Sequence, residues 1–149
     1  MIRLTEIKKI PKLTLTDYAM MAEALFYLLA SDFLIYLLPM RWWVDWIGKP
    51  DKAASNAPLT ETQKQKLVGV RKNLFRADKL LLNSSRCFAL SLALKKMLVR
   101  RGVPALLYLG VNKENSGNLQ AHAWVKSGKM VIYGGKNAAE KYTRLVSFG

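Results

Sequence analysis

The chain has 149 residues, 24 of them lysine or arginine against 10 acidic, and it contains one cysteine and one histidine. That length suits a single domain, 1–149, with a real hydrophobic core, and an apolar content of 51% sets aside a disordered chain. One cysteine excludes an internal disulfide framework and a cysteine-based zinc site, which fits a reducing, cytoplasmic setting.

The net charge of +14 favours anionic partners. The basic residues are spread along the chain and no nucleic-acid motif organises them, so nucleic acid is not an expected partner. No Walker-type loop or internal repeat occurs, and neither a cofactor nor a metal is expected.

In chain order, residues 1–15 are basic and alternating, and Pro11 with the lack of a sustained apolar run argues against a secretory signal. They read as an extended arm. Thr16 or Asp17 is expected to cap a helix through Leu38 that is apolar on nearly every side, interrupted by Glu23 and Asp32. The run between these two acids is too short to span a bilayer, so a buried or partner-facing helix is favoured over a membrane-inserted one. Trp42, Trp43 and Trp46 beside Arg41 suit a packed turn or protein docking ahead of a membrane interface.

Residues 48–58 have loop composition. Thr60 and Gln63 then offer a capping box for a helix over 61–80, with Leu67, Val70 and Leu74 as its apolar stripe. Lys64, Lys66, Arg71, Lys72, Arg76 and Lys79 read as a solvated surface. Residues 1–82 thus form a helical N-terminal part, a candidate partner-docking surface, ahead of a core at 83–149.

That core begins with Asn83, Ser84 or Ser85 as a helix cap, an apolar body over 87–99, and Arg100-Arg101-Gly102 as its stop. Cys87 falls in the first turn, where unpaired N–H groups and the positive end of the macrodipole favour thiolate; adjacent Arg86 acts in the same direction. A strand is predicted over 104–111, a polar turn over 112–118, and a strand over 119–126 that puts Gln120, His122, Trp124 and Lys126 on one face. Ser127-Gly128 is read as a hairpin turn, 129–133 as a third strand, and 138–145 as a short terminal helix, with Phe148 pinning the tail.

A cysteine at a helix start followed by a histidine on a strand beside an aromatic is the order of papain-like and transglutaminase-like enzymes. Cys87-Phe88-Ala89-Leu90, Arg101-Gly102-Val103-Pro104-Ala105, Leu109-Gly110-Val111 and Ala121-His122-Ala123-Trp124-Val125 resemble the peptidase of lasso-peptide biosynthesis, the B protein in its split form. The resemblance covers roughly the last 65 residues. It implies an α+β fold: N-terminal helices, then a cysteine-bearing helix packed on a small antiparallel sheet. It also implies a leader peptidase that cuts a ribosomal precursor peptide between leader and core. The implied partners are the precursor, a separate leader-recognition protein acting in trans, docked on the apolar region 18–47, and the ring-closing cyclase. A transglutaminase-type acyl transferase and a non-catalytic basic interaction or membrane-surface module are the alternatives.

In that chemistry Cys87 is the nucleophile, His122 the acid and base, and the Cys87 N–H an oxyanion donor. Family members carry an aspartate on the strand after the histidine. Here the matching position is Gly134. The orienting role passes to Asn137, the named candidate, or to Glu140, a backbone carbonyl or a partner's group.

Overall fold

The computed structural model describes residues 13–50, 56–82, 86–113 and 117–149. Most of the expected N-terminal arm, and the expected caps Asn83, Ser84 and Ser85, lie outside the described residues. Thr14, rather than Thr16 or Asp17, opens α1 (Leu15–Leu37). Its hydroxyl accepts from the Asp17 N–H while the Asp17 carboxylate accepts from the Thr14 N–H. This reciprocal box pairs N–H groups that a helix start leaves free, so Asp17 serves from inside the helix.

A 3₁₀ turn (Met40–Trp42) and the short α2 (Val44–Ile47) fold back beneath it, and Trp43 Nε1 donates to the Leu38 carbonyl at 3.2 Å. Thr60 and Gln63 form the expected capping box of α3 (Glu61–Leu80). Next comes α4 (Cys87–Arg100), with nine of its residues buried. Its Ala93 and leucines Leu92, Leu94 and Leu98 pack in one core with residues of the other helices and the sheet. Ion pairs tie the helices together: Glu23 of α1 accepts from Arg101 and Arg100 at the end of α4, and Asp17 of α1 faces Arg76 of α3 at 3.8 Å.

Four antiparallel strands follow: β1 (Leu106–Lys113), β2 (Leu119–Ser127), β3 (Met130–Tyr133) and β4 (Thr143–Phe148), in the order β3-β2-β1-β4. The hairpin turn falls on Gly128 and Lys129, one residue later than expected. Gly128 takes φ +57, and a Cβ there would meet the Ala57 carbonyl at 2.8 Å. The terminal helix is also shorter than expected. α5 (Ala138–Lys141) is a single turn, and from Thr143 the chain becomes the fourth strand, pairing Val146 with Leu109 and Phe148 with Leu107. The physical reason is the open edge of β1, whose N–H and C=O groups need partners that a helix does not supply.

The sheet has two covered faces. Leu107, Ala123, Val125 and Phe148 meet α1, α3 and α4 in the main core. On the other face Tyr108 and Trp124 meet Ala138 and Tyr142. Residues 134–142 cross this outer face from β3 at one edge to β4 at the other.

Candidate active site

Cys87 is the first residue of α4, a free and half-buried thiol. A helix start leaves its first N–H groups without intrahelical acceptors, and Arg86, the residue before it, supplies no side-chain cap. The Arg86 guanidinium instead lies 4.2 Å above the Tyr36 ring of α1, so its charge is shared with an aromatic face. The thiol packs on the helix side of the sheet, together with Phe88, Leu109 and Tyr133.

Two further groups join it there that the sequence reading did not assign to the site. Burial pushes the Tyr133 phenol up to about 12, and the nearby Cys87 and Asp78 act in the same direction. Asp78, on α3, is buried, and its Oδ1 has no hydrogen-bond partner among the described residues. The signal for Asp78 was an acid at an i,i+4 position from Leu74 on the apolar stripe of α3.

His122 lies on β2 opposite Gly110 of β1. Its face is shared with Gln120 and Trp124, as the alternation predicts, and it is the outer face. The imidazole stacks on the Tyr142 ring at a centroid distance of 4.7 Å and on Trp124 at 6.4 Å. The Tyr142 hydroxyl in turn donates to Gln120 Oε1 at 2.9 Å. Trp124 is 1% exposed and stacks on Tyr108 at 5.5 Å, and its Nε1 has no hydrogen-bond partner among the described residues. Its ring fits because Gly110 has no side chain: a Cβ there would stand 2.8 Å from the Trp124 ring and 2.7 Å from the Thr143 carbonyl.

His122 Nε2 is 2.7 Å from the Gly134 carbonyl oxygen. A carbonyl only accepts, so Nε2 carries the proton and Nδ1 keeps the lone pair. The group that meets the imidazole here is therefore a backbone carbonyl, that of Gly134. No side chain fits at Gly134: its φ is +96, and a Cβ would run into the Trp124 backbone and the Ala123 carbonyl. Asn137 lines the same cavity of about 470 Å³ as His122, Lys141 and Tyr142, but its side chain makes no hydrogen bond to the imidazole. A second cavity of about 460 Å³, between α3 and β3, is lined by Arg71, Phe75 and Tyr133 and shares Gly134, Gly135 and Lys136 with the first.

The structure thus brings Cys87 and His122 to the same end of the sheet but not into contact. Tyr133 faces the thiol, the next residue holds the imidazole, and the end of β3 stands between them. A third cavity of about 490 Å³, between Gln63, Gly102, Pro104 and Lys126, is remote from both. Among the described residues no group of three or more His, Cys, Asp or Glu could hold a metal ion.

Helices followed by a small antiparallel sheet, with a thiol heading the helix laid on that sheet and an imidazole on its second strand, define an α+β core of transglutaminase-like type. The profile of the transglutaminase-like superfamily matches residues 34–147, most of the chain, and the chain belongs to that superfamily. No curated protein and no solved structure matches it. The match includes both Cys87 and His122 and fits thiol chemistry of the cysteine-peptidase or acyl-transfer kind; it stops short of the lasso-peptide branch.

Proposed function

We propose that this chain is a cysteine peptidase that cuts a ribosomally made precursor peptide between leader and core. A separate leader-recognition protein would present the precursor, and the freed core would pass to a ring-closing enzyme. The observation that carries the thiol chemistry is the position of the only cysteine at the head of α4, within a superfamily match that spans both candidate residues.

In this reading the Cys87 thiolate attacks the scissile carbonyl. A C–S bond forms, and the oxyanion is stabilised by the Cys87 N–H. The His122 imidazolium gives its Nδ1 proton to the leaving amine as the C–N bond breaks, leaving a thioester. His122 then takes a proton from water, whose oxygen attacks the thioester and releases the carboxylate and the thiol. Gly134 holds Nε2 throughout and fixes which nitrogen works. Reaction requires the imidazole and the thiol to approach across the Gly134-Gly135 edge, where both residues have φ +96 and neither has a side chain.

The outer-face position of His122 favours a second reading, in which the chain binds an acidic peptide without cutting it, through the cavities that Arg71, Lys136 and Lys141 line. One experiment separates the readings. The protein is incubated with the precursor peptide and the leader-recognition protein encoded beside it, and cleavage is followed by mass spectrometry for wild type, Cys87→Ala and His122→Ala. Cleavage lost in both variants, each still folded and still binding precursor, supports the peptidase. Binding without cleavage by wild type, or equal cleavage by Cys87→Ala, refutes it. An added primary amine that appears in the product in place of water moves the assignment to acyl transfer.

A further inference from the structure

We propose that the outward face of α1 is a docking surface for an anionic lipid bilayer, with the helix lying along the membrane interface rather than crossing it. Phe26, Leu29, Phe33 and Tyr36 follow one another at steps of three and four, so they form one stripe along the helix. The stripe is open: Phe26 is 66% exposed, Leu37 65%, and Trp42, just past the helix, 68%. From Phe26 to Tyr36 it runs for about 15 Å at the helical rise per residue, and exposed Leu37, Met40 and Trp42 extend the apolar surface past the helix end. An apolar face of this extent marks an interaction surface.

Of the three acids of α1, two are paired with other helices and the third lies at the edge of the stripe beside a cation. Asp17 accepts from Asn73 at 2.9 Å and faces Arg76, and Glu23 is held by Arg100 and Arg101. Asp32 is half-buried near the Arg86 charge. Among the exposed residues of α1 none is charged. The rim is basic instead: Arg86 lies over Tyr36, Lys96 sits 4.4 Å above the Trp46 ring, Arg100 flanks Glu23, and Arg41 precedes Trp42. An aromatic and aliphatic stripe with a cationic border is the composition of a helix that lies in the headgroup layer of an anionic membrane.

By length and composition α1 qualifies as a membrane span. Its ion pairs to α3 and α4, and the burial of Met21, Ala24 and Leu28, hold it lengthwise against the domain, so it presents its side to a bilayer. Two copies meeting through this face would bring together the basic rims of chains that each carry +14, a repulsive arrangement. None of the three cavities described above is lined by a residue of α1.

The test is flotation of the full chain with vesicles of phosphatidylcholine alone and of phosphatidylcholine mixed equally with phosphatidylglycerol. Wild type should float with the anionic vesicles, at least tenfold less with the neutral ones, and less in high salt. Phe33→Glu and Leu29→Glu, shown by circular dichroism to remain folded, should abolish flotation, and Arg41→Gln should weaken it about fivefold, the effect of one cation near a charged bilayer. Equal binding to both vesicle types, flotation of Phe33→Glu at the wild-type level, or no flotation at all would overturn the proposal. So would a dimer in sedimentation equilibrium that Phe33→Glu dissolves while wild type ignores vesicles.

Discussion

Gly134 and Gly135 make a paired experiment, because they share a positive φ and differ in what surrounds them. Both have φ +96, a region an alanine enters at a cost of about 1–2 kcal/mol. At Gly135 a Cβ meets nothing within 4 Å, so Gly135→Ala should cost that strain and little more. At Gly134 the Cβ would be driven into the Trp124 backbone and lie 2.8 Å from the Ala123 carbonyl. These are backbone atoms of a paired strand and cannot rotate aside. Overpacking of this kind adds about 1–3 kcal/mol, for a total of about 2–5 kcal/mol. At this chain length each kcal/mol moves the melting temperature by about 2–4 °C. Gly135→Ala should therefore melt about 2–8 °C early and Gly134→Ala about 4–20 °C early. Thermal melts and urea titrations with an unchanged slope are the assay. Equal losses at the two positions would refute the packing argument and leave only backbone strain. Gly134→Asp should be at least as damaging as Gly134→Ala, since the site that would receive the carboxylate is filled by Trp124.

Two further predictions concern pH. The Asn73 amide, then the Thr14 N–H and hydroxyl, hold the Asp17 carboxyl down to about 2. A depressed carboxyl contributes stability that is fully present above its unfolded value near ~3.9 and is lost as pH falls toward 2. Unfolding midpoints measured from neutral pH down to acid should show this loss in wild type and a shallower slope in Asp17→Asn. Tyr133 behaves in the opposite sense. Its phenol stays neutral in the fold up to about 12, while the unfolded chain ionises near ~10, so stability falls between these two pH values. Tyr133→Phe should flatten that alkaline limb and remove a transition near pH 12 from the ultraviolet absorbance curve.

The helical half was legible where caps and stripes coincide: Thr60 with Gln63 is a box in the sequence and a box in the structure. The start of α1 was less so, because Thr14, Thr16 and Asp17 all carry capping side chains, and only the backbone turn at Thr14 decides among them. β4 escaped because Ala138, Ala139, Glu140 and Lys141 favour helix locally. What overrides them from Thr143 onward is the unpaired edge of β1, a nonlocal demand that no short window contains. Asp78 escaped for a similar reason, since its neighbours Tyr133 and Cys87 arrive from distant parts of the chain.

The face of His122 has a different lesson. Alternation correctly grouped Gln120, His122 and Trp124, and it left a choice of which face the cysteine helix covers. The other set, Ala121, Ala123 and Val125, is small and aliphatic, as a strand packed against the alanines and leucines of α4 requires, whereas Trp124 would not fit there. The imidazole therefore belongs with Tyr142, and its approach to the thiol becomes the decisive question. Nitrogen-15 spectra of the single histidine answer it. Before reaction they should show the proton on Nε2, which the Gly134 carbonyl dictates. Alkylating Cys87, the single thiol, with a small amide should then shift the Nδ1 signal if the two residues meet across the Gly134-Gly135 edge. An unshifted signal, with the tautomer unchanged, would make His122 a structural residue of the outer face and remove the acid and base from the peptidase mechanism.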